Sequence, residues 1–304
     1  MAGKRMHHAW ILAGRKGVGK ASFALQAARE LVAEPGARQT PAMHPDILVL
    51  SNLPATTDDE KKREEGKPYQ LKRNITVEQI RAMQQRLTTR PTLGARRAII
   101  VDPADDLEKS AANALLKSLE EPPAGTFFLL ISHAPGRLLP TIRSRCRLLM
   151  FPDLEAAQID ALLLEQAPKA DETTRAAAIA AAGGSVGRAL EFVELDLGAM
   201  FKVMQVIARE GDPHFVLRGR LAEAMGARPT RARQTAALDL ARAVVSARLA
   251  SVEAADIPAL TQAHAEIVRL AAQAPTYNFD PGLLVMEIGT LLAGMAASRE
   301  TADG

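Results

Sequence analysis

One cysteine, Cys146, stands in 304 residues, so the chain holds no internal disulfide and no site that needs two or more thiolates. Aromatic residues make up only 4%, which argues against a platform on which nucleic-acid bases would stack. No apolar run approaches the roughly 18 residues of a membrane-spanning helix, and no membrane partner is expected. The charged start, Met1 to Arg5, is not followed by a clean apolar signal core. Charge of one sign is scarce as well: 38 basic residues face 35 acidic ones, a formal net charge of +3. So weak an excess permits contact with nucleic acid without demanding it, and the preference for Arg over Lys has an equal reading in genomic base composition. The remaining composition, 47% hydrophobic and 24% charged, is that of an ordinary globular chain of two or three domains. The expectation is a soluble, reduced, cytoplasmic protein.

The first half alternates short apolar runs with helical patterns. Strands are expected at 9–13, 47–50, 98–101, 127–131 and 148–151. Helices are expected at 20–33, with Phe23, Ala24, Ala27, Ala28, Leu31 and Val32 as its apolar face, and at 107–119. Pro35-Gly36 should stop the first of these, and Thr76 with Gln79 should open another as a capping box. The charge run 58–67 has no apolar period and reads as a solvated loop. Short apolar strands between helices predict an α/β fold with a parallel sheet covered on both faces. Beyond Leu154 the patterns are helical and rich in alanine, with breaks at Gly183-Gly184 and Gly211-Asp212-Pro213. Three domains are expected: an α/β domain at 1–151, a small helical domain at 152–197 and a helical C-terminal domain at 198–304, whose last residues from 298 should fray.

Three motifs bear on chemistry. Gly14-Arg15-Lys16-Gly17-Val18-Gly19-Lys20 lies between a strand and a helix and nearly fits a P-loop. Its glycines let backbone N–H groups turn towards phosphates, and Lys20 can reach their terminal oxygens. The hydroxyl that should follow the lysine to bind magnesium is missing, because residue 21 is Ala. Ser22 cannot replace it, since one step along a helix turns a side chain about 100° away. The second motif is the acidic end of the third apolar run, Ile99-Ile100-Val101-Asp102. A carboxylate that orients an attacking water should come next, but Pro103 stands there, followed by Ala104, Asp105 and Asp106. Both defects fall on hydrolysis and neither harms a fold. The third motif is Ser144-Arg145-Cys146. The thiol sits in an apolar stretch and reads as packing, and His7 and His8 read as surface residues. No metal site is expected.

Asn113-Ala114-Leu115-Leu116-Lys117-Ser118-Leu119-Glu120-Glu121-Pro122-Pro123, then Phe127 to Leu130, then Leu138-Leu139-Pro140-Thr141-Ile142-Arg143-Ser144-Arg145-Cys146, resembles the bacterial clamp-loader subunits of the AAA+ class. The hydrolysis defects make the likeness strongest to their delta-prime kind in DNA polymerase III, over residues 5–151. The resemblance implies an AAA+ P-loop domain, a helical lid and a helical collar that joins a ring. It implies that Arg145 is an arginine finger that reaches ATP held by a neighbouring subunit. Arg188, in Gly184-Ser185-Val186-Gly187-Arg188, stands at the second sensor, and Ser132 or His133 at the first; with a degenerate site these read as relics or as structural. Gly14, Gly17, Gly19, Lys20 and Arg188 would line a degenerate nucleotide site that takes ATP or ADP without hydrolysis, or none. The implied partners are the gamma/tau motor subunits and delta, with the sliding clamp and primed DNA met through the assembly. The alternative is a hydrolysing gamma/tau-like motor subunit. Relatives often carry a four-cysteine zinc module after the P-loop helix; residues 33–43 contain no cysteine, so no zinc is expected. Relatives also have a helical segment before the first strand that helps to enclose adenine. Here the first strand comes almost at once, so either the chain is shortened or its start is placed late, and weaker adenine binding is expected.

Overall fold

In a computed structural model, which describes residues 6–33, 44–249, 256–274, 277 and 279–297, the chain divides into two compact units, Met1–Pro152 and Asp153–Gly304. The expected stop at Pro35-Gly36, the cysteine-free segment from 34 to 43 and the tail from 298 lie outside the described residues.

The five apolar runs of the first unit become strands β1 (Ala9–Ala13), β2 (Ile47–Ser51), β3 (Arg97–Asp102), β4 (Thr126–Ser132) and β5 (Arg147–Met150). They form one sheet in the order β2-β3-β4-β1-β5, and every pairing is parallel. Interior β1 is in register with both neighbours, Leu12 lying opposite Ile131 and Leu149. Helices α1 (Lys20–Val32), α2 (Thr57–Glu64), α3 (Val77–Leu87), α4 (Lys109–Glu120) and α5 (Pro140–Arg143) connect the strands. Alternate strand residues serve opposite faces. Ile11, Ile99, Phe128 and Leu130 pack with α3 and α4, whereas Leu12, Ile100, Leu129 and Ile131 pack with Ala24, Ala28 and Val32 of α1. This burial on both faces is what continuous apolar strands require.

Three local expectations are corrected. Phe23 is 45% exposed, because the buried line of α1 runs through Ala24, Ala28 and Val32 at four-residue spacing and Phe23 stands one position off it. It meets Phe151 edge-on, with ring centroids 5.2 Å apart. The charge run is not a loop but mostly α2. Thr56 caps it by accepting from the Asp59 N–H at 3.1 Å, acidic residues fill its first turn and basic ones its last. That arrangement complements the helix dipole without an apolar face. His7 and His8 are half-buried rather than surface residues: His8 Nε2 lies 2.8 Å from the Leu119 carbonyl and so ties the start of β1 to the end of α4.

The second unit is helical among its described residues: α6 (Ala156–Gln166), α7 (Glu172–Ala182), α8 (Val186–Glu194), α9 (Gly198–Glu210), α10 (Val216–Met225), α11 (Arg231–Leu249), α12 (Ile257–Gln273) and α13 (Pro281–Ala297). The predicted glycine breaks fall between α7 and α8 and between α9 and α10. The boundary expected at 197/198 does not separate two cores, since Leu163, Ala178, Met204, Leu240 and Ile288 belong to one apolar cluster. Most of the apolar stretch in α13 is used there, with Leu284, Val285, Ile288, Leu292 and Met295 buried and Leu283 left exposed. No helix among the described residues is long and apolar enough to cross a membrane.

Candidate functional site

The glycine-rich loop leaves the C-terminal end of β1 and turns into α1. Gly14 (φ 154°) could not be another residue, since a Cβ there would lie 2.4 Å from the Phe151 carbonyl oxygen. Gly19, at φ 94°, sets the left-handed turn that opens α1. Lys20 is 3% exposed, and its ammonium donates to the carbonyls of Gly14 at 2.7 Å and Arg15 at 2.6 Å. Burial lowers its pKa, against the opposing charges of Asp102 and Asp105. This loop and helix start fit a phosphate group: backbone N–H groups, a helix N-terminus and a lysine converge there. They do not fit its magnesium ion, because Ala21 offers no oxygen and Ser22, like Ala21, is exposed.

The neighbouring strand ends explain the acidic cluster. Asp102 closes β3, and burial raises its pKa, opposed by the charges of His133, Lys20 and Lys16. The carboxylate of Asp105 accepts three bonds from the end of β4: the Ser132 hydroxyl at 2.7 Å, the His133 N–H, and the Ala134 N–H at 3.3 Å. Asp106 accepts from the Asn52 amide at 3.0 Å. Asp105 is therefore a clamp on the end of β4, and its lone pairs are engaged rather than aimed at a water. Burial and the charge of Lys20 lower the pKa of His133, and its Nδ1 is buried without a hydrogen-bond partner.

Arg145 follows α5 on another part of the first unit. Its side chain is 33% exposed. One terminal nitrogen donates to the Thr141 carbonyl at 2.9 Å and to the Ser144 hydroxyl at 3.3 Å, and the other pairs with Glu120 at the end of α4. The guanidinium is thus held at the surface. Next to it, burial pushes the Cys146 thiol up to about 12, which fits packing and not nucleophilic chemistry.

Profile comparison adds the decisive observation: the family described as DNA polymerase III, delta subunit, matches residues 1–155. The chain belongs to that family. The delta' subunit of DNA polymerase III from Pseudomonas aeruginosa is 35% identical over 159 residues, which is 48% of this chain and 44% of the relative. The delta' subunit from Escherichia coli K12 is 38% identical over 130 residues, or 42% and 38% of the two chains. The chain thus spans less than half the length of these curated relatives. A DNA polymerase III gamma subunit-related protein from Thermotoga maritima aligns over 97% of this chain and 94% of its own, with a TM-score of 0.50 and 19% identity. That likeness concerns the fold, the AAA+ α/β domain followed by helices.

In this family member the second unit holds Arg188. Its guanidinium pairs with Asp239 of α11 at 2.6 Å and stands 5.2 Å from the Phe192 ring. Asp239 is shared with Arg242 at 3.1 Å. Arg188 is thereby committed to bridging α8 and α11. Three partners escaped the reading of the sequence: Asp105, Glu120 and Asp239. Of these, Asp105 and Glu120 lay inside motifs already singled out, without their partners being legible, and Asp239 lay in none.

Proposed function

We propose that this chain is a delta-prime subunit of the DNA polymerase III clamp loader, a cytoplasmic assembly that places the sliding clamp on primed DNA. In this reading it does not hydrolyse ATP itself but lends Arg145 to ATP held by a neighbouring motor subunit of the gamma/tau kind, with delta as a further partner. The clamp and primed DNA are met through the assembly. The carrying observation is the contrast between two places in the first unit. Arg145 is at the surface, within the segment that bears the family motif, whereas the chain's own loop is followed by Ala21 in place of the magnesium hydroxyl and β3 by Pro103 in place of the water-orienting acid.

The roles of the residues follow from their chemistry. A guanidinium stays charged at any physiological pH and grips phosphate oxygens through a planar fork of donors. Arg145 would neutralise charge as it develops on the transferred phosphoryl group of the neighbour, where such fingers contribute roughly 10³–10⁵ in turnover. Gly14, Gly17, Gly19 and Lys20 would retain ATP or ADP as a structural ligand, with no zinc required. Residues 152–197 would serve as lid and 198–304 as collar. The gamma/tau-like motor alternative has support in a tau subunit from Salmonella typhimurium that is 32% identical over 160 residues, but it would need a magnesium ligand and a base that this chain lacks.

The test is Arg145→Ala in the loader assembled from its cognate subunits. Assembly should survive and DNA-stimulated ATPase should drop at least about tenfold, a conservative part of the finger's usual contribution. Unchanged turnover would reject the role.

A further inference from the structure

We propose that Glu120 is a latch on Arg145: a positioning residue that occupies the guanidinium until a phosphate displaces it. The inference rests on the reading of Arg145 as a finger. Its ground is the inventory of hydrogen-bond donors around that side chain. A guanidinium has five N–H groups, one on Nε and two on each terminal nitrogen. The Nη1 nitrogen is engaged by the Thr141 carbonyl and the Ser144 hydroxyl. Nε is buried and without a partner, so no outside anion reaches it. Only Nη2 remains for an approaching ligand, and its partner is the Glu120 carboxylate.

A phosphate oxygen that approaches Nη2 along the line the Glu120 carboxylate now holds must therefore take the place of Glu120, as a charge-assisted hydrogen bond to that nitrogen. Exchange is feasible because both groups lie at the surface, with the Glu120 side chain 46% exposed. Water screens such a pair, so its hold is weak enough for a polyphosphate of higher charge to overcome. Arg143 and Arg147, two residues to either side, are exposed and have no hydrogen-bonded or ionic side-chain partner among the described residues. The restraint thus singles out Arg145 from its own neighbourhood. Thr141 and Ser144 keep the guanidinium in place while the carboxylate is exchanged, so the exchange costs little order.

The latch opposes engagement, so its removal should raise turnover most where engagement is weakest. Glu120→Gln keeps the size of the side chain and an acceptor oxygen but removes the charge. In the assembled loader, this variant should increase ATPase without DNA by about two- to fivefold, the factor by which one exposed ion pair shifts an equilibrium. ATPase with primed DNA should change little, so the stimulation ratio falls. A merely structural Glu120 would lower both rates together. The double variant Glu120→Gln/Arg145→Ala should fall to the level of Arg145→Ala, since the latch has no effect without its finger. Loss of activity in Arg145→Ala with no rise in Glu120→Gln overturns the latch and leaves the finger standing. No loss in Arg145→Ala overturns both. A thermal unfolding midpoint of Glu120→Gln equal to that of the parent protein verifies that the comparison is between folded subunits.

Discussion

His133 shows what the strand ends beside the glycine-rich loop ask of single residues. It stands at the end of β4, its Nδ1 is buried with nothing to bond, and burial together with the Lys20 charge lowers its pKa. A histidine whose folded pKa is depressed binds fewer protons in the folded state than in the unfolded one. Its contribution to stability is complete above the ordinary value near 6.5 and is lost as pH falls through that value towards the lowered one. Urea unfolding between pH 7 and pH 5 should therefore show a loss of stability that His133→Asn reduces; an equal slope in the two proteins would contradict the assignment. The glycines of the loop, Lys20 and Arg145 were legible in the sequence because each lies in a short contiguous pattern. The partners that decide what those residues do were not. Asp105 meets Ser132 across 27 positions and Asp239 meets Arg188 across 51, and no local pattern reports such pairs.

Among the elements, the strands were the easiest to read. β1 and β3 are continuous apolar runs bounded by turn residues, and only a sheet covered on both faces uses such runs. Helix α2 was the hardest. Its sequence, Thr57-Asp58-Asp59-Glu60-Lys61-Lys62-Arg63-Glu64, has no apolar side to reveal it, and its support is local: the Thr56 cap, the acidic first turn and the Lys62–Asp58 pair at 2.5 Å. Burial of Asp59, which also accepts from the Gln70 N–H at 3.1 Å, anchors it to the following chain. Because so much rests on one hydroxyl, Thr56→Ala should weaken the helix by about 1 kcal/mol. Amide hydrogen exchange should read this as faster exchange within 57–64, with the exchange of β3 and β4 unaltered. Uniform acceleration across the first unit would mean that α2 is not a local element.

At the scale of the whole molecule, the second unit departs most from what the sequence suggests. Alanine-rich helices on either side of residue 197 read as two small bodies, yet they share one core, because small side chains let neighbouring helices approach closely enough to bury Met200, Met204 and Leu240 together. The Arg188–Asp239 pair crosses the same seam with both side chains largely buried. A double-mutant cycle of Arg188→Ala and Asp239→Ala in the full chain should return a coupling of about 1 kcal/mol in denaturant unfolding. Additive effects would show that the two charges are independent. The same pair gives Arg188 a structural purpose that does not require nucleotide.

A practical opening lies in Cys146. Burial pushes its pKa up to about 12, so at neutral pH the thiolate that maleimides and oxidants attack is scarce. As the chain contains no other cysteine, a single engineered surface thiol would be its one reactive handle, and fluorescent dyes or spin labels could be placed at a chosen position without first stripping the native residue away.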